Sequence, residues 1–118
     1  MREADLQGVI LRALRKRGGW WVKYHAGPRY STGGVPDILG AYRGLFVAME
    51  VKVDDARVTP LQAATQQEMR QKGKAIVVVV RSVKQALKVL DAIDEYVDEY
   101  VHTTKEERSQ DGEEASSN

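Results

Sequence analysis

The stretch Gly34-Val35-Pro36-Asp37, followed by Leu45-Phe46-Val47-Ala48-Met49-Glu50-Val51-Lys52, decides how the rest of this 118-residue chain is read. Its second part alternates with a period of two. Phe46, Ala48, Glu50 and Lys52 fall on one face of a strand, and Leu45, Val47, Met49 and Val51 on the other. A strand this apolar is expected to be buried, which makes an acid and a lysine two positions apart costly. A lone buried charge is penalised by several kcal/mol, on the order-of-magnitude scale, unless it is paired or binds something. Asp37, just after a Gly-x-Pro turn, brings a second carboxylate to the same sheet edge. Two acids and a lysine gathered there suit a divalent metal ion and a phosphodiester.

Working outward, residues 3–17 read as an amphipathic helix. Leu6, Val9, Ile10, Ala13 and Leu14 recur at three- and four-residue spacing, and Gly18-Gly19 stops the pattern. Arg15, Lys16 and Arg17 suit the negative end of the helix dipole. Glu3 lies on the buried side of the first turn, where it also complements the positive end. Trp20 to His25 is a strand rich in aromatic and β-branched residues. Residues 26–36 form a glycine- and proline-rich loop. Its Arg29, Tyr30, Ser31 and Thr32, with Lys23 on the preceding strand, are side chains able to contact a phosphate backbone. Asp37 to Tyr42 is a short strand, Arg43-Gly44 a turn, and 45–53 the central strand.

Thr59-Pro60-Leu61-Gln62 has the form of a helix start. Thr59 is the N-cap, Pro60 takes the first helical position and Gln62 completes a capping box. This helix runs to about Lys72 and is ended by Gly73. Ala75 to Val80 is an apolar run of strand length. Ser82-Val83-Lys84-Gln85 repeats the capping-box pattern, and Val83, Ala86, Leu87, Leu90, Ile93 and Val97 trace a core-facing helix to about Val101. From His102 onward the chain is polar and charged, and it is read as a disordered acidic tail. The expectation is therefore one domain over 1–101 and a tail over 102–118. Three strands on short links can form an antiparallel meander, and the helix at 59–72 is a crossover that adds a fourth strand in parallel.

A helix acid, Gly-x-Pro-Asp, Glu-x-Lys and a glutamine on the next helix resemble the PD-(D/E)xK nuclease superfamily. The likeness is greatest to its VRR-NUC group, the virus-type replication and repair nucleases akin to archaeal Holliday junction resolvases. Pro36-Asp37 and Glu50-Val51-Lys52 match the superfamily motif, Glu3 matches the helix acid, and Gln62 the glutamine after Ser/Thr-Pro. The resemblance covers residues 3–90. It implies an α/β, restriction-endonuclease-like fold: a mixed sheet in the order α-β-β-β-α-β-α, flanked by helices. It also implies a Mg²⁺- or Mn²⁺-dependent endonuclease that acts on branched DNA as a homodimer, of a kind used in DNA repair and encoded by phages in bacterial hosts.

The catalytic set implied is Glu3, Asp37, Glu50, Lys52 and Gln62. Asp37, Glu50 and the backbone carbonyl of Val51 would hold the ion, with Glu3 acting through a water or a second ion. Lys52 would orient or deprotonate the attacking water, and Gln62 would orient Lys52 or that water. Its capping role competes for the same side chain. Trp20, Trp21, Tyr42 or the face of the last helix could supply a dimer surface. A salt bridge on a half-exposed strand is the plain alternative for Glu50 and Lys52. A non-catalytic nucleic-acid-binding protein of the same fold, or a nuclease acting on flaps, nicks or RNA, are the alternatives for the whole chain.

Composition sets the outer bounds. There is no cysteine, which removes disulfides, thiolate metal sites and cysteine nucleophiles. Residues 1–90 carry 16 lysines and arginines against 7 acids, whereas 91–118 carry 2 against 10, so the overall charge of +1 conceals a basic body and an acidic tail. That asymmetry suits a polyanionic partner. No apolar run approaches the roughly 20 residues of a membrane span, and no signal-peptide core is present, so a soluble, intracellular, cytoplasmic protein is expected.

Overall fold

A computed structural model describes residues 1–27 and 32–101. Arg29, Tyr30, Ser31 and the tail at 102–118 lie outside the described residues. The elements follow the expected order: α1 (Glu3–Arg17), β1 (Trp20–Lys23), β2 (Ile38–Tyr42), β3 (Leu45–Val51), α2 (Pro60–Gly73), β4 (Ile76–Val80) and α3 (Val83–Tyr96), which continues as π-helical turns over Val97–Val101. The four strands form one sheet in the order β1-β2-β3-β4. The β1–β2 and β2–β3 pairs are antiparallel, and β4 joins β3 in parallel after the α2 crossover. This is an α/β mixed sheet flanked by three helices.

The two faces of the sheet are covered differently. Helices α1 and α3 lie together on the face that carries Val47, Met49 and Val51, whose registered neighbours are Ile76, Val78 and Val80. Ile10, Leu14, Ile38, Val47, Met49, Val51, Ala86 and Leu90 are fully buried there. The other face carries Ala48 and Glu50 and receives α2. Beyond the reach of α2 it is open: Trp20 and Phe46, in register on either side of Ala41, are 65% and 47% exposed.

Several boundaries shift for local physical reasons. β1 ends at Lys23 rather than His25, although the Tyr24 N–H still donates to the Asp37 carbonyl at 2.7 Å. Gly73 is the last residue of α2 and does not itself reverse the chain. The left-handed residue that closes the helix is Lys74, at φ 53°. At the start of α3, Ser82 accepts from the Gln85 N–H, but the Gln85 side chain reaches back to the Arg81 N–H at 2.7 Å instead of to Ser82. The Arg43-Gly44 turn has positive φ at both residues, 51° and 84°, which matches the right-handed twist of the strands it joins. At the edge of the sheet, the Arg70 guanidinium of α2 donates through Nε and Nη2 to the carbonyl of Val77 in β4, at 3.3 and 3.0 Å.

Trp21 and Tyr42 are not surface residues, and they supply no dimer contact. Both are buried, at 2% and 7% exposure, and their rings stack at a centroid separation of 6.3 Å. Gly40 makes this possible, because any Cβ there would fall 2.2 Å from the Trp21 ring. The indole N–H donates to the Gly18 carbonyl at 2.7 Å. The Tyr42 hydroxyl donates to Asp94 on α3, whose carboxylate also receives Arg17 from the end of α1 and Arg43 from the β2–β3 turn. Burial tends to raise the Asp94 pKa, but the hydrogen bonds from Tyr42, Arg17 and Arg43 outweigh it and hold the carboxyl below its ordinary range. Since the unfolded chain then binds the proton more readily, this contribution to stability is present above the ordinary aspartate range and is lost as the pH falls through it. Tyr42→Phe, which removes a hydrogen bond to a charged group, is expected to lower the unfolding free energy by about 2 kcal/mol. Urea titration at neutral pH measures this, and the difference from wild type should shrink in acid.

Candidate active site

The central strand carries Glu50 into the interior. Its side chain is 1% exposed, and that of Lys52, two residues on along the same face, is 8% exposed, so the pair is not a half-exposed surface salt bridge. The lysine Nζ stands 3.6 Å from Glu50 Oε1. Asp37 reaches the same place from the start of β2. Its Oδ2 accepts the Val51 N–H at 2.8 Å, in place of a backbone carbonyl of the neighbouring strand. In an extended residue the carbonyl projects to the same side as the N–H, so the Val51 carbonyl also faces the Asp37 side of β3.

Gly34 sets the approach of the Pro36-Asp37 segment to α2. Its φ is +78°, and a Cβ there would lie 2.6 Å from the Leu61 carbonyl oxygen and 2.7 Å from Thr65 Oγ1. Thr65 also ties the loop down by donating to the Gly33 carbonyl at 2.7 Å. Pro36 is fully buried behind it. From the other side of the sheet end, the first turn of α1 supplies Glu3.

These placements bring Glu3, Asp37 and Glu50 together, each offering a carboxylate oxygen within 4.8 Å of the others. Two unit charges at that separation repel by about 3 kcal/mol at an effective dielectric constant of 20. Among the described residues, the ammonium that pairs with the cluster is that of Lys52. Glu50 records the imbalance: burial, and then the negative charge of Asp37, push its pKa from the ordinary 4.5 up to about 7, against the opposing pull of Lys52.

Glu50 Oε1 receives both Lys52 and the side-chain amide of Gln62, whose Nε2 donates at 2.9 Å. Glu50 Oε2 is buried and has no partner among the described residues. A buried carboxylate oxygen left bare beside two further carboxylates fits a hard divalent cation, and the all-oxygen donor set suits Mg²⁺ or Mn²⁺.

Gln62 caps its helix and reaches the carboxylate cluster at once, because the two contacts use opposite ends of the amide. Its Oε1 accepts the Thr59 N–H at 2.9 Å while Nε2 holds Glu50. The side chain therefore contacts the carboxylate and not Lys52. Of the candidate DNA contacts, Lys23 is half-buried at the end of β1, and Thr32 is exposed with its carbonyl accepting from the Tyr24 hydroxyl at 3.2 Å. Neither belongs to the carboxylate cluster. Two buried polar residues, Gln7 and Gln66, escaped the sequence reading. Gln66, 2% exposed, has an unpartnered Nε2 among the described residues. Its spacing of four from Gln62, which puts both on the sheet-facing side of α2, is the signal that could have singled it out.

No family model matches the chain, and neither does any curated protein. Solved structures do match. One described as a VRR_NUC domain superposes with a TM-score of 0.59 at 28% identity, covering 83% of this chain and 96% of that one. A second, a VRR_NUC domain protein, gives a TM-score of 0.62 at 17% identity, covering 83% and 89%. The architecture is that of a VRR-NUC domain, a nuclease-type fold.

With its pKa raised to about 7, Glu50 in metal-free folded protein binds, between about pH 4.5 and 7, a proton that the unfolded chain has released. Stability should therefore fall as the pH rises from about 4.5 towards 7. Thermal melts in EDTA across this window are expected to show that slope for wild type and a flatter one for Glu50→Gln.

Proposed function

We propose that this chain is a divalent-metal-dependent DNA endonuclease selective for branched DNA, acting as a homodimer on four-way junctions. The observation that carries the nuclease reading is the bare, buried Oε2 of Glu50 within the Glu3–Asp37–Glu50 cluster, with Lys52 beside it. Asp37, Glu50 and the Val51 carbonyl would hold Mg²⁺ or Mn²⁺, and Glu3 would act through a water or a second ion. When bound, such an ion supplies Lewis-acid polarisation of the scissile phosphate and acidification of water.

The chain's own residues do the rest. As the ammonium paired with Glu50 Oε1, Lys52 donates to the attacking water and offsets charge building on the phosphoryl oxygens; it would take the water's proton only as the neutral amine. The water oxygen bonds to phosphorus as the bond to the leaving sugar oxygen breaks; the water's proton passes to neutral Lys52 or to solvent, and the leaving oxygen takes a proton from solvent. Asp37, anchored by the Val51 N–H, keeps its second oxygen available to the site. Selectivity for branched DNA follows the likeness to junction resolvases, and a compact α/β domain can recognise DNA through shape and backbone. The basic balance of residues 1–90 supports the polyanionic partner. Of the surfaces considered for dimerisation, Trp20 and the last helix around Tyr96 are exposed.

The test is cleavage of a labelled four-way junction, with linear duplex, flap and single-stranded controls, in Mg²⁺, Mn²⁺ and EDTA. Paired symmetrical cuts that need the ion are expected. Asp37→Asn, Glu50→Gln and Lys52→Ala should each reduce kcat by roughly 100-fold or more without unfolding the protein. Cutting only other substrates would remove the junction from this reading and keep the nuclease. Tight binding without cleavage in any metal would point to a binding protein of the same fold.

A further inference from the structure

The first turn of α2 reaches into the carboxylate cluster through one side chain whose orientation leaves no choice. Gln62 lies between a group that can only donate, the Thr59 backbone N–H, and a group whose ionised form can only accept, the Glu50 carboxylate. Oxygen towards Thr59 and nitrogen towards Glu50 is the sole arrangement that satisfies both contacts. Thr59 holds the same residue a second time, since its Oγ1 accepts the Gln62 N–H at 3.1 Å. Pro60 stiffens the turn between them, and the Thr59 carbonyl accepts the Ala63 N–H at 2.9 Å.

A capping box ordinarily serves its own helix, with the far end of the third side chain left to water. Here that end is spent on a carboxylate in the sheet. The result at Glu50 is a division of labour between its oxygens. Oε1 is occupied by Gln62 and Lys52, and Oε2 is left bare in the cluster with Glu3 and Asp37.

We infer that Thr59 is a positioning residue for the metal site. Its backbone N–H holds Gln62 Oε1, and its Oγ1 holds the Gln62 backbone in the register from which the amide reaches Glu50 Oε1 and leaves Oε2 for the cation. This rests on the metal-site reading proposed above, and concerns which atom of Glu50 is offered and what keeps it there. Thr59 itself touches neither substrate nor ion.

The test separates this role from ordinary helix capping by comparing two caps in one protein. Thr59→Ala and Ser82→Ala each remove a side-chain cap, at α2 and at α3 respectively, and should lower the melting temperature by similar amounts. Mn²⁺ affinity is measured by calorimetry, and exchange protection of the Gln62 side-chain amide protons by NMR in EDTA. Thr59→Ala keeps the backbone N–H and removes only the Oγ1 that holds the Gln62 backbone; it is expected to weaken Mn²⁺ binding by about 10-fold and to lower the amide protection, by analogy with losses of groups that orient metal ligands. Thr59→Ser should restore both, and Ser82→Ala should alter neither. Gln62→Leu, which removes the amide but keeps the Thr59 hydroxyl, should reproduce the loss of Mn²⁺ affinity.

Wild-type Mn²⁺ affinity in Thr59→Ala, or an equal weakening in Ser82→Ala, would overturn the inference. If the wild-type protein binds no Mn²⁺, the metal-site reading fails, and the amide protons still decide the contact. Protection lowered in Thr59→Ala and kept in Thr59→Ser upholds the pinning of Glu50; protection unchanged in both overturns it.

Discussion

A carboxylate sunk into the central strand of a small sheet, with one of its oxygens unpaired, works against folding by several kcal/mol on the usual scale for buried ions. The surroundings of Glu50 divide that cost among separate elements. β3 itself supplies Lys52, α2 supplies the Gln62 amide, and the pKa raised by burial and by Asp37 lets the group hold a proton at mild acidity. No single partner neutralises it. The neighbouring elements are placed accordingly. β2 begins where Asp37 can take a backbone N–H of β3, and α1 begins where Glu3 reaches the sheet end.

Most of the fold could be read from the sequence, because its signals are local and mutually consistent. The alternation in 45–52, the capping box at Thr59, and the apolar spacing of α1 and α3 each point to one element. The short links between the first three strands leave an antiparallel meander as their simplest pairing. The acidic cluster was legible for a related reason: an acid inside an otherwise apolar strand demands an explanation that a surface acid does not.

What escaped the sequence depends on contacts between distant residues. Trp21 and Tyr42 have the composition of surface aromatics, and only the absence of a side chain at Gly40 and the arrival of Asp94 from 52 positions later bury them. Lys74 takes the left-handed position that composition assigns to Gly73 because helix length, set by packing, decides where the reversal falls. The two-ended use of Gln62 was invisible since nothing local places a carboxylate opposite an exposed helix start.

The fork from Arg70 to the Val77 carbonyl has a consequence for the molecule among its own copies. β4 reads Ile-Val-Val-Val-Val, and in the sheet it has a neighbour on one side only. Such a strand, β-branched throughout and carrying no charge, is a template on which another chain's strand can add. Arg70 occupies an outward acceptor near the middle of that template and lays a cation along it. A strand approaching this edge must first displace two guanidinium hydrogen bonds and desolvate the charge. Through this fork Arg70 makes strand addition at the β4 edge more costly.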